Sequence, residues 1–489
     1  MLFDGLSRRP GGKVLFEIRG NMMDNEKQTD GPKCMQLLKI KSMSKFIELE
    51  FESGSKGKAD DSFRVTSGKL NGLQKNTFSY SELRQEIEPW LTALFQSEHL
   101  SLLAGAGLTT AFHYGIIQNK FDPYPKIEIE DTELNKKIES ASKELADMAR
   151  RGEPNFEDKL RVLIKLEEGL RIIGSAQSEA IQKTIGQCLS ELLNNVLQIE
   201  RDINIPSTCR CCGQELRDKY LTLLVSFLMS FASRSGTRDR LNIFTTNYDR
   251  LIEFGAELAG VRLIDRFIGT LHPIFRSSRL DVDLHYNPPG IRGEPRYLEG
   301  VARFSKLHGS LDWINDGEFI RRVGLPFGAN EFEPYFPEEC SEALIYPRDA
   351  KDKETTNYPY VELFRDFAAA ICRPNSVIVT YGYSFGDDHI NRVIRDMLTI
   401  PSTHLVVISY DDIGDRIKNF YERSNRASQI SLLIGKHLGE IGNLVEYFLP
   451  KPAIDRTSIK MAELLKARGL HSSPPDDTHK KIEVGENQH

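Results

Sequence analysis

The order of apolar and polar positions divides the chain into a weakly patterned start, a helical centre and two flanking stretches in which strands and helices alternate. Apolar positions at i, i+3 and i+4 across SYSELRQEIEPWLTALFQ, with Ser79 in front of them, predict a capped helix. His99–Ala104 (HLSLLA) then reads as a short buried strand that runs straight into Gly105-Ala106-Gly107 and a second helix start. From Thr132 to Arg234 the spacing is helical throughout, in KKIESASKELADMARR, FEDKLRVLIKLEEGLRII, EAIQKTIGQCLSELLNNVLQ and ELRDKYLTLLVSFLMSFASR. A helical block of that length between two strands predicts an inserted subdomain rather than a crossover helix.

Short runs rich in β-branched residues return at Leu241–Thr245, Val261–Ile264, Phe304–Leu307, Ala343–Tyr346, Ser376–Tyr381 and Leu405–Ser409. Helical spacing separates several of them, at Asp249–Leu258, Tyr360–Cys372, Asp388–Leu398 and Asp412–Arg423. Fully apolar strands alternating with helices predict an α/β fold, a Rossmann-like doubly wound parallel sheet carrying the helical insertion. Arg266–Arg303, with Pro288 and Pro289, reads as loop. The expected organisation is an N-terminal appendage over 1–78, partly disordered with one strand at Phe46–Phe51. A main domain follows over 79–450, with 132–234 inserted, and then a partly disordered tail over 451–489.

Composition narrows the classes. The 489 residues are 27% charged and 40% hydrophobic, which is globular and excludes a fibrous or wholly disordered chain. A net charge of −6 supplies no global basic field for nucleic acid. The longest apolar stretch, Leu221–Ala232, is too short to span a bilayer, and the N-terminus lacks the apolar core of a secretion signal. Seven scattered cysteines do not form a disulfide framework, so a reducing cytoplasm is the expected compartment. Cys209 and Cys212 make one C-x-x-C with no second pair, and no metal site is expected.

Four segments at predicted strand ends carry candidate chemistry. In LLAGAGLT, Gly105 and Gly107 would let the backbone approach a diphosphate at a helix N-terminus; a purely structural turn reads equally well, and the G-x-G-x-x-G spacing is not met. In FTTNYD, Asn247 and Asp249 stand either at a ligand crevice or as caps of the next helix. In KLHGS, His308 is either a structural imidazole or one exposed to the cleft. VIVTYGYSFGDDHI is a strand, a Gly/Ser turn and an acid-capped helix, with Asp387 or Asp388 as the cap.

Read together and in order, GAG-x-T, T-x-NYD, KLHGS and GYSFGDDHI resemble the signature series of the sirtuin-like superfamily, and more narrowly its bacterial branch found in anti-phage defence systems. The resemblance runs over roughly residues 97–450. It implies NAD as the substrate, with Asn247 placing a water at the nicotinamide ribose and His308 acting as general base. It places Gly105, Ala106, Gly107, Thr109 and Thr246 around the dinucleotide, Asp249 at the ribose pocket, and Gly382, Ser384 and Phe385 near the adenosine half, with Asp387 or Asp388 as the acid beside it. Protein-deacylating sirtuins carry two C-x-x-C pairs and a G-I-P-x-F-R segment; here the second pair is missing and the counterpart TTAFHYGI has no arginine. That departure favours simple NAD hydrolysis over deacylation. Further implications are a homo-oligomer and activation in abortive infection by a phage protein or a HerA-type ATPase partner.

Overall fold

The computed structural model describes residues 35–451 apart from 42, 55–60, 69–75, 130, 149–151, 206–209, 235–237, 279–281, 287–295, 299, 317 and 333–357. The strand expected at Ala343–Tyr346, Cys209 of the C-x-x-C, residues 1–34 of the appendage and the tail after 451 lie outside the described residues.

Eleven strands form one sheet. Four come first among the described residues: β1 (Gln36–Lys39), β2 (Ile47–Glu52), β3 (Ser62–Ser67) and β4 (Thr77–Ser79), each antiparallel to the next. Helix α1 (Tyr80–Phe95) follows at once, held by a reciprocal cap: the Ser79 hydroxyl accepts the Glu82 N–H and the Glu82 carboxylate accepts the Ser79 N–H. It buries Leu83, Ile87, Leu91 and Phe95, one per turn. Next come β5 (His99–Ala104) and α2 (Ala106–Ile117), and then four helices, α3 (Thr132–Met148), α4 (Phe156–Ile172), α5 (Gln177–Asn204) and α6 (Arg210–Ala232).

The chain re-enters the sheet through β6 (Leu241–Thr245), α7 (Leu251–Leu258) and β7 (Arg262–Ile264). Short strands β8 (Phe267–Ile268), β9 (Ile274–Phe275), β10 (His285–Tyr286) and β11 (Arg296–Tyr297) occupy the stretch expected as loop. Strand β12 (Val301–Lys306) returns to the main sheet, whereas β13 (Trp313–Asn315) and β14 (Ile320–Arg322) join β8 and β9 in a small second one. The last units are α8 (Tyr360–Ile371), β15 (Ser376–Tyr381), α9 (Asp388–Met397), β16 (His404–Ser409), α10 (Arg416–Ser424) and β17 (Ile430–Ile434).

The strand order is β4-β3-β2-β1-β17-β16-β15-β5-β6-β12-β7, parallel from β17 to β7. Helices cover both faces: α1, α2, α6 and α7 bury one core cluster, and α8, α9 and α10 the other. The α/β doubly wound fold is therefore present, with an antiparallel extension. Starting from β5, the chain builds outward through β6 to β12, then jumps back to β15 and builds the other way. The six strands β12-β6-β5-β15-β16-β17 repeat the 3-2-1-4-5-6 order of dinucleotide-binding folds, whose crevice opens where the direction reverses. Here that point lies at the carboxyl ends of β5 and β15.

The helical insertion has two parts. Ile138, Leu160, Leu163, Ile181 and Ile185 from α3, α4 and the start of α5 pack in a cluster of their own. Leu224, Phe227, Leu228 and Phe231 of α6 instead belong to the main core, so α6 is a covering helix of the sheet. Among the described residues no helix is long and apolar enough to cross a membrane.

Lys39 is fully buried in β1, its ammonium donating to the Ile430 carbonyl at 2.7 Å. Burial pushes this group down to about 8. A base whose folded value lies below its unfolded one costs stability while it is charged, and the cost is relieved as pH rises from about 8 towards 10.5. The variant Lys39→Met should therefore be more stable than the wild type at pH 7, by on the order of 1–3 kcal/mol, with the gap closing above pH 9. Urea unfolding of both chains across that range checks it; a gap independent of pH would remove Lys39 as its cause.

Candidate functional site

The site assembles at the reversal point from four turns. After β5, the Gly105 N–H donates to the Tyr381 carbonyl at 2.9 Å, and the Gly107 N–H to the Gly382 carbonyl at 3.0 Å. The turns after β5 and β15 thus lie backbone to backbone. A Cβ on Gly105 would stand 2.5 Å from the Gly382 oxygen, and one on Gly107 would stand 2.6 Å from the Gly382 Cα. Gly382 itself sits at φ +61°, where a side chain is strained. The three glycines bring α2 up to the crevice with its first residue, Ala106, exposed.

The turn after β6 carries Asn247. Its backbone N–H donates to Thr245 Oγ1, and its side-chain NH₂ donates to the Gly105 carbonyl at 3.0 Å and to Thr109 Oγ1 at 2.9 Å. Both amide protons are spent on the glycine turn, so Asn247 can serve a ligand only through Oδ1. Thr109 passes its own proton to Asp249 Oδ2 at 2.6 Å, and Asp249 Oδ1 accepts the Leu251 N–H at 3.1 Å. Asp249 thus holds the first amide of α7 and ties that helix to α2.

Two further side chains fix this turn, Lys306 from the start of KLHGS and Glu200 from outside the four motifs. The buried Lys306 ammonium donates to the carbonyls of Tyr248 and Asp249 and pairs with Glu253 at 3.1 Å. From α5, the buried Glu200 carboxylate accepts the backbone N–H of Arg250 at 2.8 Å and its guanidinium at 2.5 Å. Burial pushes the Glu200 carboxyl up, against the pull of the Arg250 guanidinium beside it. Arg250 also donates to the carbonyls of Leu325 and Pro326. Two residues further along α5, Asp202 holds His113 of α2 at 3.0 Å, so this histidine is committed to the protein. Glu200 and Arg250 carry no local signature, because the pair joins residues on separate elements. Lys306 was visible only as the first letter of KLHGS.

The turn after β12 carries His308, whose Nε2 lies 3.0 Å from Asp387 Oδ2. Strands β12 and β15 are separated by β6 and β5, three spacings or about 14 Å. The pair therefore arches between the turns after β12 and β15, at the sheet edge where the glycine and Asn247 turns also lie. Asp387 is buried and N-caps α9 through Oδ1, which accepts the His389 N–H at 2.9 Å. Tyr383 reaches the Asp387 carbonyl at 3.1 Å and Asn391 Oδ1 at 3.0 Å.

The expected site residues thus divide. Gly105, Gly107, Thr109, Asn247, Asp249 and Gly382 form one connected group, Thr246 follows with its N–H on the Ala104 carbonyl, and His308 joins through Asp387. Ser384, on the turn before α9, and Asp388, the first residue of that helix, are exposed. Phe385 points inward, packed on Tyr383 and Phe420 at 4.9 and 4.8 Å, and it takes φ +54°. Of the two adjacent acids, Asp387 rather than Asp388 enters the site, because the N-cap position turns its carboxylate back over the strand ends. Among the described residues no group of three or more His, Cys, Asp or Glu could hold a metal ion.

Residues 241–430 match the family model of the SIR2-like domain. The match supports a Sir2-like family and contains the turns bearing Asn247, His308 and Asp387. It begins at β6, so β5 and its glycine turn, which the helical insertion separates from the rest, fall in front of it. No curated protein matches the chain.

Proposed function

We propose that this protein hydrolyses the N-glycosidic bond of NAD, releasing nicotinamide and ADP-ribose, and that it does so as a cytoplasmic effector of bacterial anti-phage defence by abortive infection. What supports the reading is that the turns bearing Asn247, His308 and Asp387 all follow the carboxyl ends of parallel strands at the reversal point of a 3-2-1-4-5-6 sheet.

The chemistry asks little of the protein beyond placement, since nicotinamide is a good leaving group. The N-terminal turn of α2 suits the diphosphate. Asn247 Oδ1 accepts one hydrogen bond from a water and aims its oxygen at the anomeric carbon. His308 takes the second proton of that water as the bond to carbon forms. The electron pair of the breaking bond neutralises the ring nitrogen of nicotinamide. General-base help of this kind contributes about 10²–10⁴-fold.

The test is to incubate the full-length chain with NAD, alone and with an ATPase of the HerA type or phage lysate, and to follow nicotinamide. Release without any acyl-lysine peptide is expected. Strict dependence on such a peptide would replace hydrolysis by deacylation, and NAD binding without product in every mixture would make the protein a scaffold.

A further inference from the structure

We propose that Asp387 is a positioning residue for His308: its carboxylate fixes the imidazole as the Nε2–H tautomer and so leaves the basic lone pair on Nδ1. The inference rests on the hydrolytic reading above and adds to it a second role for an acid whose position by itself explains only a helix cap.

Three observations carry it. The contact is direct, with His308 Nε2 at 3.0 Å from Asp387 Oδ2. An ionised carboxylate only accepts hydrogen bonds, so the proton of a neutral imidazole must sit on the nitrogen facing it. Finally, the carboxylate is itself rigid. Its other oxygen is bound by the His389 N–H at 2.9 Å and approached by the Ile390 N–H at 3.4 Å. The turn behind it is closed by Asn391, whose amide donates to the Phe385 carbonyl at 2.9 Å. Half of Asp387 is thus anchored to α9, and the other half is held out across β5 and β6 to a histidine that arrives from β12. A residue needed only as a cap would have no reason to meet an imidazole from three strands away.

The variant that separates the two roles is Asp387→Asn. Asparagine caps helices about as well as aspartate, so α9 and the fold are kept. Its amide, however, can present either an oxygen or an N–H to His308, and the tautomer is no longer dictated. With ¹⁵N-labelled histidine, the wild-type His308 should show a protonated Nε2 and a bare Nδ1 in the neutral state. Asp387→Asn should show a mixture or the reverse. Turnover of NAD by the same variant should fall at least a hundredfold, of the kind seen when a catalytic imidazole loses its orienting acid. KM should stay within about threefold and the melting temperature within about 2 °C, since neither the crevice nor the cap is changed.

An unaltered tautomer in Asp387→Asn overturns the proposal, as does wild-type turnover in that variant. Faster turnover also overturns it and makes the arch a latch that holds His308 out of action. The hydrolytic reading fails separately: His308→Ala at wild-type turnover would remove the histidine from the chemistry, while the tautomer measurement would still support the pairing with Asp387.

Discussion

Replacing Asn247 by alanine should lower nicotinamide release by about 10²–10³-fold, the loss typical of one preorganised polar group at a reacting centre. The side chain is buried, and both of its N–H donors are committed to Gly105 and Thr109. That commitment makes the amide useful: it cannot rotate, so the acceptor that remains has a fixed direction. Alanine removes the acceptor and leaves the Gly105 carbonyl without its side-chain donor. The change therefore also costs stability, about 1–3 kcal/mol, which a melting curve will read as a shift of a few degrees. The rate measurement should be made well below that transition. A turnover within threefold of wild type would take Asn247 out of the mechanism and, with it, the water-placing step.

The second large effect concerns the fold beneath the site. Glu200→Ala should cost about 3–5 kcal/mol in a urea titration, because it strands the buried Arg250 guanidinium. Glu200 is fully buried and binds both the backbone and the side chain of Arg250, as well as the Gly328 N–H at 3.2 Å. Replacing both partners with apolar residues, as in Glu200→Leu with Arg250→Met, should recover much of that stability, since no charge is then left unpaired. It should not restore turnover, because the Arg250 N–H that anchors the Asn247 turn to α5 stays without its acceptor. A loss below 1 kcal/mol for Glu200→Ala would show that water replaces the carboxylate and that α5 does not hold the turn.

How far the sequence discloses this molecule depends on how local each signal is. Strands β6 and β15 are read at Leu241–Thr245 and Ser376–Tyr381 because both are mostly apolar or β-branched and almost wholly buried. The capped start of α1 is equally plain, since Ser79 and Glu82 act within one turn. At the other extreme, β1 has only four residues, and β3 (SFRVTS) is polar because it lies near the sheet edge with one face in water. Neither shows a period long enough to detect, and the start of the chain therefore reads as an appendage with one strand where the structure has four. Strand β17 (ISLLI) escapes for a different reason: its run is short, and no helical segment of clear spacing follows it.

The site follows the same rule. The glycines, Asn247 and His308 stand out because each ends an apolar run, and the ends of parallel strands gather on one edge. The choice between Asp387 and Asp388 is not local. It depends on which carboxylate the cap turns towards β12, a fact of the sheet rather than of the dipeptide. Glu200, with no motif around it, becomes visible only when α5 lies against Arg250.

The antiparallel pairing of β1 with β17, at Leu37↔Ile434 and Leu38↔Leu433, has a practical meaning for any shortened form of this chain. Strand β17 is apolar and wholly buried, and β1 is what satisfies its outer row of amides and carbonyls. Trimming the polypeptide back to Ser79, where the helical spacing first becomes regular, would bare a flat hydrophobic rim of the kind that recruits other chains. These strands act as a selvedge, and a form cut at Ser79 is expected to aggregate where the full chain does not.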